Sequence, residues 1–393
     1  MRKRKKWVIL VLAVILGIGF VLVTRAPHIP AGSFLVLEMG GSYTEEQPSD
    51  LLGQLLGSRQ KVLMDLLLEL RKVKVDRRLK GVIIKLTPLE LDFAKSQELR
   101  DALRALRDAG KRVIVWVASE DLAGNLEYYL ASAADRVYFS ENTLLPLSGL
   151  SATYVFLGGV WEKLDIDMQV EKIKEYKTFG DFLSRKTMSE PHREMANSLL
   201  DNLNSQFLAG VAEARRLAPG QVQALIDAPT TTPEDFQRAG LVDGVRYFDE
   251  VLEELGEGKG KPANTVSWAT YRKVKPTSLG LMRGPKIAVV YGVGMITTGK
   301  SRWGASGPTM GAETIVEAIH QAAQDDEIRT IVFRVDSPGG SALASDLIWR
   351  AVVEAKEKKP VVVSMSRLAA SGGYYIATAA TKIVAQPATL TGS

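Results

Sequence analysis

The sequence YYLASAADRV at residues 128–137 is repeated with conservative changes as YYIATAATKI at residues 374–383. Other stretches upstream of these two segments also match each other, in the same order along the chain. They are residues 34–38 with 287–291, residues 81–86 with 330–335, and residues 113–115 with 361–363. A chain that matches itself in order is predicted to contain two copies of one structural unit.

The matched segments are short runs of apolar and β-branched residues. Charged stretches with helical character lie between them, at residues 96–109 in the first copy and 345–358 in the second. This alternation predicts stacked βαβ units. We therefore expect an α/β fold in which each copy builds a mostly parallel sheet.

The composition divides the chain into four parts. We predict a first repeat with a helical extension at residues 34–255, followed by a linker at residues 256–286, where Gly, Lys and Pro are frequent. The second repeat, at residues 287–393, ends soon after its copy of the repeated helix. We expect this repeat to be incomplete and the natural chain to continue past Ser393.

The N-terminal part, residues 1–26, predicts a membrane anchor. Five basic residues at positions 2–6 precede an uncharged apolar run at residues 7–23. At about 1.5 Å per residue this run reaches roughly 26 Å, the short end of a bilayer crossing. We expect one crossing by an uncleaved signal anchor, with the N-terminus in the cytoplasm and the rest on the far side. A cleaved signal peptide is the alternative.

Charge and cysteine content exclude several classes of function. Lys and Arg number 50 and Asp and Glu 45, and the five basic residues at positions 2–6 account for the whole excess. No basic surface for nucleic acid is therefore expected. The chain has no cysteine, which excludes disulfides, thiolate nucleophiles and cysteine-ligated metals. We expect neither a cofactor nor a metal.

The two copies differ just before the repeated helix. The second copy reads AASGG at residues 369–373, and its Ser371 aligns with Asn125 of the first copy. The small neighbours of Ser371 allow a substrate backbone to approach closely, so Ser371 is a candidate nucleophile. A second glycine turn, DSPGGS at residues 336–341, ends another predicted strand. The backbone N–H groups of Gly340 and Gly372 could together form an oxyanion hole. The alternative is that both are compact strand-to-helix turns with no catalytic role.

A serine nucleophile needs a base. The chain has only three histidines, His28, His192 and His320. None lies in a local triad signature, which disfavours a Ser-His-Asp mechanism. A lysine could serve if burial lowered its pKa by about 3 units from ~10.4. The segment EKIKEYKTF at residues 171–179 contains Lys172, Lys174 and Lys177. Lys177 stands near Tyr176 and Phe179, the most desolvating setting of the three, although most lysines are simply surface charges.

Three motifs in this order resemble the signal peptide peptidase A family. They are Tyr176-Lys177-Thr178 followed by Met188-Ser189 and Arg193-Glu194, the turn at residues 336–340, and Ser371 between Ala369-Ala370 and Gly372-Gly373-Tyr374. Members of this family are membrane-bound serine proteases with a Ser/Lys dyad, related in fold to the Clp protease and the crotonases. The resemblance runs from the anchor onward and is to the long, duplicated form.

The resemblance implies tandem Clp/crotonase-like repeats after one transmembrane helix. It implies Ser371 as the nucleophile, Lys177 as the general base, and Gly340 and Gly372 as oxyanion donors. The first repeat would then supply the base and the second the nucleophile within one subunit. It further implies a ring-shaped homo-oligomer in the bacterial inner membrane, with the catalytic part in the periplasm. The substrates would be cleaved signal peptides and similar short hydrophobic peptides.

Two other functions are compatible with parts of the sequence. Residues 294–301 satisfy the P-loop pattern GxxxxGK[ST], but the glycine- and proline-containing residues 302–308 cannot start the helix that a P-loop needs. Nucleotide binding is therefore disfavoured. The chain could instead be an inactive, membrane-anchored scaffold of the same fold that holds peptides without cutting them.

Overall fold

The computed structural model describes residues 27–46, 61–118, 124–228, 232–258, 260–304 and 307–392. The predicted anchor at residues 7–23 lies outside these ranges. Among the residues that are described, no helix is long and apolar enough to cross a bilayer.

A seven-stranded sheet forms the centre of the first half. In chain order this half contains β1 (Ser33–Thr44), β2 (Lys61–Val62), α1 (Leu63–Val75), β3 (Leu79–Glu90), α2 (Phe93–Asp108), β4 (Arg112–Val117), α3 (Asn125–Ala131), β5 (Arg136–Phe139), α4 (Gly158–Lys163), α5 (Asp181–Ser184), α6 (Glu190–Arg215), α7 (Pro219–Asp227), α8 (Pro233–Arg238), β6 (Gly244–Val245), α9 (Phe248–Glu254), β7 (Thr265–Ser267) and α10 (Trp268–Tyr271). The strands lie in the order β2-β1-β3-β4-β5-β6, and β7 also pairs with β1. All of these pairs are parallel.

The second half repeats this arrangement with fewer elements. It contains β8 (Lys286–Val293), β9 (Met295–Thr297), β10 (Arg302–Gly304), β11 (Gly307–Gly311), α11 (Ala312–Gln324), β12 (Ile328–Ser337), α12 (Ala342–Lys358), β13 (Val361–Ala370), α13 (Gly372–Ala377), β14 (Lys382–Val384) and β15 (Leu390–Gly392). A parallel sheet has the order β14-β13-β12-β8, with β15 beside the end of β13, and β9, β10 and β11 form a separate small sheet. The predicted α/β class with parallel sheets is confirmed.

The strand register is the same in the two halves. The central residues that pair across three neighbouring strands are Val36, Ile83 and Ile114 in the first sheet, and Val289, Val332 and Val362 in the second. These triplets are the ones that the sequence match places opposite each other. The alternation of apolar side chains fixes this register because a slip by one residue would turn every side chain to the other face.

The first sheet is buried on both faces. One face packs on α1 and α2 within the main core. The opposite face is covered by α9 and the residue that follows it. The residues in this smaller cluster are Phe34, Ile83, Ile114, Tyr138, Val251 and Leu255. A sheet buried on both sides explains why its strands read as nearly continuous apolar runs.

Among the residues that the structure describes, the second sheet is buried on one face only. Ile331, Phe333 and Val363 belong to its core with α11 and α12 and are fully buried. On the opposite face Ile287 is 61% exposed and Val384 is 49% exposed. These two residues occupy the positions of Phe34 and Tyr138, which are 1% and 2% exposed in the first half.

Part of the predicted linker belongs to the first half. Within residues 256–286, β7 pairs with β1 and Tyr271 is fully buried in the main core with Val266 and Val274. The linker prediction is therefore wrong for residues 265–274. The linker was predicted from the glycine, lysine and proline residues near residue 260. The apolar residues that follow them are too widely spaced to be recognised as a strand.

Candidate active site

Ser371 lies in the turn between β13 and α13. Its backbone has φ +52° and ψ −116°, a conformation that is strained for a residue with a side chain. The Ser371 N–H donates to the carbonyl of Gly392 at 2.8 Å, and its carbonyl accepts from the N–H of Tyr375 at 2.9 Å. The residue itself is exposed. A fixed, strained strand-to-helix turn that exposes a serine is the arrangement that presents the nucleophile in many hydrolases.

The glycine turn after β12 packs directly against Ser371. Gly339 has φ +94°, and a Cβ there would lie 2.6 Å from the nitrogen of Gly372 and 2.8 Å from the Cβ of Ser371. Gly340 has φ +153°, and its Cβ would lie 2.2 Å from the carbonyl oxygen of Ile296. No larger residue fits at either position. The turn therefore requires glycine on steric grounds, whatever its catalytic role.

The backbone donors of this turn can be placed from its pairing with β9. Ile296 donates its N–H to the carbonyl of Gly339 at 2.8 Å and accepts from the N–H of Ser341 at 2.9 Å. In such a parallel bridge the N–H of the intervening residue, Gly340, is directed away from Ile296. Gly372 is the first residue of α13, so its N–H has no acceptor within the helix. Both predicted oxyanion donors thus lie in backbone positions that leave the N–H group available.

Lys177 lines a large cavity between the two halves, with a volume of about 1280 Å³. The first half contributes mainly the segment around Lys177. The second half contributes Ala370, which precedes Ser371, together with β15. The residues that line the cavity are Thr153, Tyr154, Val155, Glu171, Lys172, Ile173, Tyr176, Lys177, Thr178, Phe179, Phe182, His192, Met195, Ala370, Leu390, Thr391 and Gly392. The cavity therefore brings the lysine segment to the end of the strand that carries the serine.

The structure does not place Lys177 in the desolvated setting that was predicted. Lys177 is exposed, and its neighbours Tyr176 and Phe179 are 50% and 77% exposed. No helix or strand forms over residues 168–177. Sequence proximity to aromatic residues was a poor guide because burial depends on what packs over the segment.

A buried carboxylate fixes the segment that follows Lys177. Asp181 is 3% exposed and accepts from Lys172 Nζ at 2.8 Å and from the hydroxyl of Ser189. Burial raises the pKa of Asp181, but the hydrogen bonds from Lys172 and Ser189 outweigh it and hold that pKa below its usual value. Lys172 is thus bound in an ion pair. Of the three candidate lysines, Lys172 and Lys177 line the cavity, and Lys174 is not in the cavity wall.

His192 was not selected from the sequence, yet it lines the same cavity. It is 5% exposed, and its ring lies 4.6 Å from that of Tyr154. Its Nδ1 is buried and has no hydrogen-bond partner among the residues described. His320 instead lies 3.3 Å from Glu354. The sequence around His192 indicates only a capped helix start at Ser189, so no local signal could have placed it at the cavity.

The position in the first half that aligns with Ser371 has a structural role. Asn125 is the first residue of α3, and its Nδ2 donates to the carbonyl of Ser148 at 2.6 Å. Its Oδ1 accepts from the N–H of Ser148 at 3.0 Å. The side chain of Asn125 is therefore occupied in holding the following loop.

The P-loop pattern at residues 294–301 does not form a phosphate site. The strand β10 follows it, and the next helix begins only at Ala312. The backbone N–H groups of a helix start, which bind phosphate in a P-loop, are absent from this described stretch.

The turn that exposes Ser371 and the α/β fold together suggest a serine hydrolase, and comparison with known proteins agrees. Residues 105–261 and 354–393 match peptidase family S49. The chain belongs to this family of serine peptidases, as the motifs predicted.

Curated relatives of the chain are named as proteases. It is 39% identical to "Serine protease SPPA, chloroplastic" of Arabidopsis thaliana over 82% of this chain and 48% of the relative. It is 32% identical to "Protease 4" of Salmonella typhi over 85% and 55%, and 30% identical to "Protease 4" of Haemophilus influenzae over 88% and 58%. The resemblance to signal peptide peptidase A is confirmed. The chain spans about half the length of these relatives.

Solved structures give weaker matches. A mutant of the 1510-N membrane-bound stomatin-specific protease is 12% identical, over 60% of this chain and 97% of that one, with a TM-score of 0.35. A ClpP1 mutant from Listeria monocytogenes is 23% identical, over 23% of this chain and 46% of that one, with a TM-score of 0.18.

Proposed function

We propose that the chain is the catalytic part of a membrane-anchored serine endopeptidase in which Ser371 is the nucleophile and Lys177 the general base. The observation that supports this most is the cavity that joins the Lys177 segment to the strand end before Ser371. Within one subunit the first half supplies the base and the second half supplies the nucleophile. This division agrees with the structural use of Asn125 at the aligned position in the first half.

The reaction would begin when Ser371 Oγ attacks the carbonyl carbon of a peptide bond while Lys177 Nζ accepts the hydroxyl proton. The N–H groups of Gly340 and Gly372 would stabilise the resulting oxyanion. Lys177 would return the proton to the leaving amine. The Lys177 side chain, neutral again, would then activate a water molecule that hydrolyses the acyl-enzyme. The whole cycle needs no cofactor.

An exposed lysine acts as a base only if it loses its proton before the attack. The cavity wall beside Lys177 is largely apolar, with Tyr154, Val155 and Ile173 among its residues. An apolar peptide that filled this space would displace water from around the ammonium group and favour the neutral amine. Burial of Lys177 would thus depend on the substrate, which favours short hydrophobic peptides such as cleaved signal peptides.

The anchor at residues 7–23, the periplasmic location of the catalytic part and a homo-oligomeric ring are parts of this proposal. An anchor would keep the active site near peptides that partition into the bilayer. The tandem repeats would be of the Clp/crotonase type. An inactive peptide-binding scaffold of the same fold is the competing function.

Labelling with a fluorophosphonate tests the dyad. We expect covalent modification of Ser371 in the wild-type chain, none in Ser371→Ala, and labelling slowed by at least about 10²-fold in Lys177→Met. The matched control is Lys174→Met, which removes a lysine from the same segment but not from the cavity wall, and it should label like the wild type. Equal labelling in Lys177→Met and Lys174→Met would refute the lysine base. A folded wild-type chain that neither labels nor cleaves peptides would favour the scaffold.

His192→Phe tests whether the histidine of the cavity wall, and not Lys177, is the general base. We expect nearly normal labelling, because the resemblance assigns the base to Lys177 and His192 is held edge-on against Tyr154. Loss of labelling in a folded His192→Phe variant, with labelling retained in Lys177→Met, would transfer the role of base to the histidine.

A further inference from the structure

A buried cluster of charged side chains joins the two halves beside the glycine turn. The first half contributes Glu45, Lys95 and Glu98, and the second contributes Arg334 and Asp336. All but Glu98 are less than a tenth exposed. Charged groups are rarely buried to this extent unless each is paired, so the cluster constrains how the halves meet.

Arg334 is held from both sides by carboxylates of the first half. Its Nε and Nη2 each lie 3.1 Å from an oxygen of Glu45. Its Nη1 and Nη2 lie 2.6 and 3.0 Å from the two oxygens of Glu98. Paired contacts of this kind depend on the planar fork of the guanidinium group and fix direction as well as distance. They set β12 in one position against the first half.

Lys95 extends this contact to the turn itself. Its Nζ lies 3.3 Å from Asp336 Oδ2 and 3.7 Å from Glu45 Oε1. The carbonyl of Asp336 accepts from the N–H of Gly294 at 2.9 Å. Asp336 is the residue that leads into the glycine turn, so a shift of its carboxylate would be transmitted along the turn.

The link from Asp336 to the turn is short and buried. The hydroxyl of the next residue, Ser337, donates to the carbonyl of Gly294 at 2.7 Å and accepts from the N–H of Gly339 at 3.1 Å. Gly339 in turn packs against the Cβ of Ser371. A continuous series of contacts therefore connects Lys95 of the first half to the nucleophile turn of the second.

Without Lys95 the carboxylate of Asp336 would lose its buried cation. Its Oδ1 has no hydrogen bond among the described residues, and the nearest other cation is Arg367, whose Nε lies 3.5 Å from that oxygen. The Arg367 side chain is 57% exposed. A carboxylate with only this partner would be drawn toward solvent, because burying an unpaired charge is costly. The turn that begins at Asp336 would move with it.

We propose that Lys95 is a positioning residue. From across the interface between the halves, it fixes the position of the glycine turn at residues 336–341. This inference rests on the proposed function in so far as the turn stabilises an oxyanion. Lys95 itself would touch neither the substrate nor the reacting atoms.

The test compares Lys95→Met with Lys95→Arg and with a matched control, Lys72→Met. Lys72 is also buried and paired, with Glu69 at 2.9 Å, but its contacts lie within the first half. Two measurements are made on each folded variant. One is kcat and KM on an apolar peptide, and the other is hydrogen–deuterium exchange of the peptides that cover residues 293–297 and 336–341.

For Lys95→Met we expect kcat to fall by about 10- to 100-fold with KM nearly unchanged, because a displaced oxyanion donor weakens only the transition state. Exchange over both peptides should quicken. Lys95→Arg, which keeps the charge, should recover most of both properties, and Lys72→Met should lower the melting temperature without changing either. In an Asp336→Asn background, the same Lys95→Met change should have much less effect on kcat, since the charge it balances is gone.

These outcomes separate the two proposals. Unchanged kcat and unchanged exchange in Lys95→Met would overturn the positioning role while leaving the Ser371/Lys177 mechanism intact. Equal losses in Lys95→Met and Lys72→Met would also overturn it, because they would indicate a general loss of stability. If the wild-type chain neither labels nor cleaves, the proposed function fails, and the exchange measurement still decides whether Lys95 holds the turn.

Discussion

The two halves share a strand register but differ at three points, and the differences separate scaffold from chemistry. At the start of the repeated helix the first half has Asn125 within a regular helix, whereas the second has Ser371 at φ +52°. The outer face of the sheet is covered in the first half, whereas in the second half Ile287 and Val384 on this face are exposed among the residues that the structure describes. The third difference is the turn after the second matched strand.

That turn holds two glycines only in the second half. Counting along the matched strands, Gly339 and Gly340 correspond to Glu90 and Leu91, and the helix caps Ser341 and Asp92 correspond to each other. Both caps accept from the N–H three residues later, at 3.3 and 2.9 Å. The two halves therefore agree in the matched strand and in the cap of the following helix. Glycines, which allow unusual backbone angles, occur in this turn only in the half that carries the serine. Both copies thus share the strand and helix framework, but only the second copy has the strained turns at Ser371 and at Gly339 and Gly340.

The largest expected effect comes from exchanging the aligned residues Ser371 and Asn125 for alanine. Ser371→Ala should abolish fluorophosphonate labelling and lower peptide cleavage by at least about 10³-fold, because the nucleophile is lost. Asn125→Ala should leave the labelling rate within a few-fold of the wild type, since it removes only the two hydrogen bonds to Ser148. Comparable losses in the two variants would mean that the halves do not differ in the way proposed.

The glycine turn should give the next largest effect. Gly340→Ala adds a Cβ that would lie 2.2 Å from the Ile296 carbonyl, so the turn must shift. We expect kcat to fall by about 10²–10³-fold, as for loss of one oxyanion donor. The control is Leu91→Ala at the corresponding position of the first half, measured in the same peptide assay. Normal turnover by a folded Gly340→Ala variant would exclude this turn from the oxyanion site.

The two sheet faces can be compared by one substitution in each. Phe34→Ala empties a site in the buried outer face and should lower the free energy of unfolding by about 3–5 kcal/mol. Ile287→Ala, at the aligned but exposed position, should cost less than about 1 kcal/mol. Urea unfolding followed by far-UV circular dichroism measures both. A cost of several kcal/mol for Ile287→Ala would indicate that this face is covered in solution.

The smallest effect concerns pH and the segment that carries Lys177. The pKa of Asp181 is lowered in the folded chain, so its contribution to stability is present above the unfolded value of about 3.9 and is lost as the pH falls through the folded value. Asp181→Asn should therefore cost about 2 kcal/mol near neutral pH and much less in strong acid. Thermal melts between about pH 2 and pH 7 would follow the difference. A constant difference across this range would show that the charge of Asp181 does not matter.

Local patterns in the sequence were sufficient for the sheets but not for the contacts between them. Apolar alternation and the internal match placed Val36, Ile83 and Ile114 in register with their counterparts. Strand β7 was not predicted because it has only three residues, too few to show an alternation of apolar side chains. The nearby run of glycine, lysine and proline indicated a linker instead. The ion pairs of Arg334 with Glu45 and Glu98 join residues far apart in the chain, and nothing local marks either partner.

The candidate site divides in the same way. The small residues around Ser371 and the glycines at 339 and 340 are demanded by local backbone geometry, so they could be read directly. The exposure of Lys177 and the presence of His192 in the cavity wall depend on how residues 151–195 pack as a whole. One sequence does not contain that information in any short segment.

The covered outer face of the first sheet has a consequence for the order of folding. A half that closes both faces of its sheet with its own helices can reach a stable core before the rest of the chain leaves the ribosome. The second half would then assemble against a folded surface that already displays Glu45 and Glu98. Synthesis from the N-terminus would thus make the first half a template on which the serine-bearing half is built.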